Sequence, residues 1–374
     1  MNIDEISFYA NDGIICDNDY IWYYANELSS VIQVEKRTGT TKVLFVIKEA
    51  FGSFSFRSIA RFKDYIFVFP FRGDKYIKYD INSRTYLYKK IPNEIENWNW
   101  SARYFQDSTS LYFYFQPPFI VRFYLETEDW AIYKLEEFIN GASYNDTKQW
   151  LGVGAFSSEN YILFQFYNDN KLVRLNQLTG KISIIELNLP YEDSYIETMT
   201  YSEGGVWLVL NDRKGKSRII KYDSIEFETY KEICAIENGE LSKDRTVTFY
   251  SQIVVGRTYL WLLPFESDRV LKVSKDGNMM VTPEGIPVIN RSSLKPVWGR
   301  AGNYNIGKML NETYTNMHIW SNTIVEINID NDNIVSFVPM SFDRSDIWEQ
   351  ANLDIIQENT YYSLKDFLIR EVGL

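Results

Sequence analysis

Few residues in this chain have the types and spacing that catalysis needs. The 374-residue sequence holds one histidine, His318, so zinc sites built from several imidazoles are excluded and any Ser-His-Asp arrangement must use that residue. No G-x-S-x-G surrounds a serine, and neither the G-x-x-x-x-G-K-[ST] nor the G-x-G-x-x-G phosphate-binding stretch occurs. A hydrogen-bonded structural role is the expectation for His318. Cys16 and Cys234 lie far apart and belong to no C-x-x-C, which points to two buried thiols rather than a disulfide framework or a zinc site. The 50 Asp and Glu residues leave room for a glycosidase-type carboxylate pair, but no one pair stands out among so many. No cofactor and no metal are implied.

The residues better suited to a site are aromatic and cationic: Phe54, Arg57, Trp98, Trp100, Arg103, Trp150, Tyr195, Trp298 and Arg300. Aromatic faces stack on sugar rings or hold peptides, and neighbouring guanidinium groups take anionic or sugar-acid ligands. Their claim rests on where they fall in an internal repeat.

That repeat is a four-residue pattern of two apolar residues, one polar and one apolar. Its copies are Val31-Ile32-Gln33-Val34, Tyr76-Ile77-Lys78-Tyr79, Ile120-Val121-Arg122-Phe123, Leu172-Val173-Arg174-Leu175, Ile219-Ile220-Lys221-Tyr222, Val270-Leu271-Lys272-Val273 and Ile324-Val325-Glu326-Ile327. Successive copies lie 45, 44, 52, 47, 51 and 54 residues apart. Turn residues follow, such as Thr38-Gly39, Thr179-Gly180 and Asp276-Gly277, and then a second apolar run, which together read as a hairpin. Upstream of the pattern sits an aromatic or apolar run, YIWYY at Tyr20, YIFVF at Tyr65, YILFQ at Tyr161 and YLWLL at Tyr259. Such continuous apolar strands suit sheets buried on both faces. A further, more polar strand before each run makes four strands per repeat.

Seven four-stranded repeats predict an all-β, seven-bladed β-propeller over residues 1–342. The chain resembles the β-propeller superfamily in period and strand pattern over roughly residues 8 to 342. It lacks the Gly-His and Trp-Asp pairing of WD40 repeats, the double glycine of kelch repeats and the sialidase-type Asp box. The resemblance implies an architecture and no chemistry.

Aligning the repeats locates the candidate site. Eleven residues before the second strand stand Tyr9, Phe54, Trp100, Trp150 and Tyr195, with Phe249, Tyr250 and Trp298 near the same place in the last two blades. A feature shared by most blades serves packing, or it lines the mouth of the channel with rings. Eight residues before the second strand the blades differ: Asp12, Arg57, Arg103, Val153, Thr198, Ser251 and Asn305. Arg57 and Arg103, beside Trp98 and Trp100 and joined by Arg300, would receive an anionic or sugar-acid group.

Two ends break the pattern. The second strand of the seventh copy is the polar Thr313-Tyr314-Thr315-Asn316-Met317-His318, read either as an atypical closing blade or as one remodelled around a site. Residues 343–374 predict a short helical tail: Ser363 is an N-cap, Tyr362 and Phe367 form a staple, and Gly373 is the stop. The tail docks on the propeller rim or offers its apolar face to a partner protein.

Composition narrows the partners. Lys plus Arg number 39 against 50 acids, a net charge of −11, which gives no general attraction for a phosphate backbone, so nucleic acid is not expected. No apolar run approaches a membrane span and the amino terminus lacks the pattern of a secretory leader, so a cytoplasmic protein is expected. The sequence therefore points to a non-enzymatic binding propeller for a protein or glycan, with a carboxylate-dependent enzyme acting on a saccharide or modified peptide as the alternative.

Overall fold

A computed structural model describes residues 13–25, 29–47, 56–70, 73–95, 104–114, 119–134, 151–158, 160–166, 169–191, 194–212, 215–237, 249–265, 267, 269–284, 286, 307–318 and 323–343. Within them the chain forms seven four-stranded antiparallel sheets, each built from four strands consecutive in sequence. The protein is an all-β, seven-bladed β-propeller. Every copy of the apolar-apolar-polar-apolar pattern contributes to the third strand of a blade, from Ser30–Glu35 in blade one to Thr323–Asn328 in blade seven. Each upstream run is a second strand, from the aromatic Tyr20–Ala25 to the polar Thr313–His318. All four strands of blade seven, Lys308–Leu310 to Asn333–Pro339, come from the carboxy-terminal part of the chain. The expected helical tail lies outside the described residues.

The hairpin between third and fourth strands turns on a left-handed residue in every blade. Gly39, Gly180 and Gly277 hold φ of 75°, 70° and 81°, and Arg84, Glu128, Phe227 and Asp332 take 56°, 62°, 57° and 54°. A β-carbon at Gly39 would fall 1.9 Å from the Pro339 carbonyl oxygen, and at Gly277 1.9 Å from that of Ile233, so these two turns require glycine for space as well as conformation.

The polar position of the pattern has a physical role. In blades two to six it is a cation over a ring of the second strand: Lys78 over Tyr65 at 3.9 Å, Arg122 over Tyr112 at 5.2 Å, Arg174 over Tyr161 at 5.2 Å, Lys221 over Trp207 at 4.8 Å and Lys272 over Tyr259 at 4.3 Å. The aliphatic stems cover apolar strand while the charges sit on aromatic faces. Blades one and seven break this row with Gln33 and Glu326.

The chain divides into two compact units. The first comprises Met1–Ala102, Ile289–Ile329 and Asn333–Leu374, and so contains blades one, two and seven. Its core joins Trp22, Tyr24, Val31 and Phe45 of blade one to Phe56, Ile66, Val68 and Tyr79 of blade two, with Phe45 stacked on Tyr79 at 4.4 Å. Blade two sends Arg61 over Trp22 at 4.6 Å and pairs it with Asp17 at 2.5 Å. The second unit, Arg103–Val288 with Asp330–Asp332, contains blades three to six. Its apolar clusters join blade three to four through Tyr114 and Phe164, four to five through Leu163 and Leu208, and five to six through Trp207, Phe249 and Leu262.

Candidate functional site

The first strands of several blades share an irregularity at one place. In blade two, Phe56 pairs with Pro70 and Ser58 with Phe69, which leaves Arg57 as an extra residue. In blade five Ile196 pairs with Leu210 and Thr198 with Val209, leaving Glu197. In blade six Tyr250 pairs with Pro264 and Gln252 with Leu263, leaving Ser251. Blade four slips between Leu151 and Ala155. A bulge bends its strand and re-aims a side chain, so this position is the one each blade can vary without losing its sheet.

The sequence offset finds this position in Arg57 and Ser251 and misses it by one residue in blade five. The second strand there begins at Gly205, paired with Ser202, and not at the first apolar residue Val206. The equivalent of Arg57 is therefore Glu197 rather than Thr198. The doubled glycine at 204 and 205 was the available signal: Gly204 turns with φ of 72°, and Gly205 already belongs to the strand.

Glu197 is 2% exposed. Its Oε1 accepts the backbone N–H of Phe249 and, at 3.1 Å, that of Tyr250, both in blade six. Ser217 Oγ donates to Oε2 at 3.4 Å, and the Asn211 side chain adds another hydrogen bond. Burial pushes the carboxyl up to about 8, against the lowering effect of those donors, so it carries a proton at neutral pH. The site around it is polar and closely packed. Gln165 Nε2, from blade four, donates to the Glu197 carbonyl oxygen at 3.0 Å, and Thr198 Oγ1 donates to the Ser251 carbonyl oxygen at 3.0 Å. Gln165 Oε1 and Ser251 Oγ are buried and have no hydrogen-bond partner among the described residues. A β-carbon at Gly154 would come within 2.3 Å of Gln165 Oε1 and 2.9 Å of the Met199 backbone nitrogen, so glycine lets blade four approach blade five here.

The aromatic position is packed in these blades. Tyr195 opens the first strand of blade five at 1% exposure, and Phe249 and Tyr250 of blade six are buried at 4% and 1%. Their rings are buried between the sheets. Phe54, Trp98, Trp100, Arg103, Trp150, Trp298 and Arg300 lie outside the described residues, as does the side chain of Arg57 on its bulge. His318 closes the second strand of blade seven, with its side chain likewise outside them.

Among the described residues, no three His, Cys, Asp or Glu side chains gather where they could hold a metal ion. Cys16 and Cys234 form no disulfide with each other, and burial, reinforced by the charge of Glu232, pushes Cys234 up to about 11, away from a reactive thiolate. No helix among the described residues is long and apolar enough to cross a membrane.

Comparison with solved structures finds the same architecture. Virginiamycin B lyase from Staphylococcus aureus superposes with a TM-score of 0.55 at 12% identity, covering 86% of this chain and 94% of that one. YCF48 from Cyanidioschyzon merolae gives 0.54 at 10% identity, over 88% and 94%. YCF48 bound to D1 peptide gives 0.53 at 10% identity, over 86% and 92%. It is a likeness of fold. The sequence matches no protein-family model, and no curated protein is similar to it in sequence.

Proposed function

We propose that this chain is a non-enzymatic binding propeller whose aromatic and arginine-bearing face takes a protein or glycan partner. The observation that carries the reading is the shared bulge with unshared residues: Arg57 in blade two, Glu197 in blade five and Ser251 in blade six. On their second and third strands, blades two to six repeat one packing scheme of cation on ring. At this position they diverge, and divergence within a repeat is where a ligand is specified. Blades five and six commit their residues to internal contacts, with Glu197 sealed against the main chain and Tyr195, Phe249 and Tyr250 buried. Recognition then falls to Phe54, Arg57, Trp98, Trp100, Arg103 and Trp150, together with Trp298 and Arg300. Interface energy concentrates in Trp, Tyr and Arg anchors, the residue types this set supplies.

Structures of this fold include a lyase and a protein bound to a peptide, so the fold alone chooses neither activity. The carboxyl of Glu197, with both oxygens occupied by internal donors, is in no position to act on a substrate. The test is a panel of glycans and peptides screened for retention on the immobilised chain, with the same panel incubated in solution and read by mass spectrometry. Retention of intact ligand, lost in a chain carrying Trp100→Ala and Arg103→Ala, is the expected result. A cleaved or eliminated saccharide or peptide product would overturn it in favour of a carboxylate-dependent enzyme.

A further inference from the structure

One turn residue occupies the same place in blades one, two, three, four, six and seven, marked by a common backbone bond to the turn between first and second strands. Lys36 donates to Asp19, Ile81 to Asp64, Leu125 to Thr109, Gln177 to Asn160, Lys275 to Thr258 and Ile329 to Glu312. Where its side chain is polar, it reaches the neighbouring blade. Gln177 Nε2 bonds Tyr112 Oη and Asp107 Oδ2 of blade three at 3.2 Å each, and Lys275 Nζ pairs with Glu203 of blade five at 2.5 Å. Lys36 does the same between blade one and blade seven. Its Nζ lies 2.7 Å from Glu326 Oε1 and donates to Thr315 Oγ1 at 3.1 Å.

What differs at that junction is the sign of the third-strand residue. Glu326 stands where blades two to six carry Lys78, Arg122, Arg174, Lys221 and Lys272, and a lysine approaches it from the turn. Thr315 and Ser336 complete the cage, donating to Oε1 and Oε2 at 2.8 and 3.0 Å. Thr315 stands opposite Glu326, where blades two, three, five and six set Phe67, Tyr112, Trp207 and Trp261 opposite the cation. Lys36 is 8% exposed, and its ammonium group is held between Glu326 and Thr315.

Backbone contact also joins the two blades. Thr40 and Ser341 form a parallel bridge, and Ser341 N donates to the Gly39 carbonyl oxygen at 2.9 Å, a close approach that the glycine at 39 permits. We propose that the Lys36–Glu326 pair sets the number of blades by allowing blade seven to close only on blade one. A ring that omitted blade one would place Glu326 against Ile81, leaving a half-buried carboxylate without its cation. A ring that omitted blade seven would bring the buried Lys36 onto the half-buried Lys272, two ammonium groups together. Both errors are penalised by the same residue choice.

The experiment compares species distributions after refolding of the full chain from urea, by size exclusion with light scattering over a range of protein concentrations. The variants are Lys36→Glu, Glu326→Lys, the two together, and the apolar pair Lys36→Met with Glu326→Met. The proposal expects each single charge change to lower the yield of the parent species at least threefold, and the charge-swapped pair to restore it. The Met pair removes the charges but keeps packing volume, so it should hold thermal stability while still losing parent yield. If the single changes refold like the parent, if the swapped pair fares no better than the singles, or if the Met pair refolds like the parent, the pair does not select closure and the proposal fails.

Discussion

The carboxylate of Glu197 in blade five accepts the backbone N–H of Tyr250 in blade six at 3.1 Å, so a side chain on one first strand holds the main chain of the next. A carboxyl able to satisfy two backbone donors in a sealed space is worth more as a strut than as a surface charge. Glu197→Ala leaves those donors unpaired and opens a small void. It should cost about 3 kcal/mol in urea unfolding, whereas Glu197→Gln, which keeps an accepting oxygen, should cost about 1 kcal/mol.

The same carboxyl makes stability depend on pH. Its folded value of about 8 lies above the ordinary 4.5, so between these values the folded chain keeps a proton that the unfolded chain has released. Fewer protons on the unfolded state mean that stability falls as pH rises across that window, then levels off above it. Thermal unfolding between pH 5 and pH 9 should show this decline in the parent and a flatter profile in Glu197→Gln. Parallel profiles would show that Glu197 does not hold its proton.

Two turn glycines separate conformation from space. Gly204 has φ of 72° with nothing near its absent β-carbon, while Gly39 has φ of 75° with Pro339 O in the way. Gly204→Ala should cost about 1 kcal/mol, the strain of a left-handed alanine. Gly39→Ala should cost about 3 kcal/mol, because the backbone of residue 339 must also move. Equal losses in chemical unfolding would contradict the close approach.

The cation row should register as coupling. Lys78 Nζ sits 3.9 Å from the centre of the Tyr65 ring, and a double-mutant cycle of Lys78→Ala and Tyr65→Ala should return about 0.5 to 1 kcal/mol. An additive cycle would mean that the ammonium group merely passes the ring on its way to solvent.

Much of this architecture is legible in the amino-acid sequence. The apolar-apolar-polar-apolar pattern marks third strands because the sheet alternates faces, and the aromatic runs mark second strands because those are buried on both sides. The place of Glu197 was harder to read. Strand starts at Gly205 and Tyr65 look different in sequence, since glycine offers no apolar signal, and a one-residue error in the start moves the bulge from Glu197 to Thr198. The role of Lys36 was not legible at all. Its partner Glu326 lies almost the whole chain away, and only the fold brings the first and last repeats together.

The most direct test of the binding assignment is quantitative retention of host-extract proteins and of arrayed glycans on three immobilised chains: the parent, Trp100→Ala with Arg103→Ala, and Lys78→Ala as a packing control. The account predicts that parent and Lys78→Ala retain the same ligand and that the Trp100 and Arg103 double variant, folded by circular dichroism, loses it at least tenfold. Undiminished retention by that folded double variant would contradict the assignment.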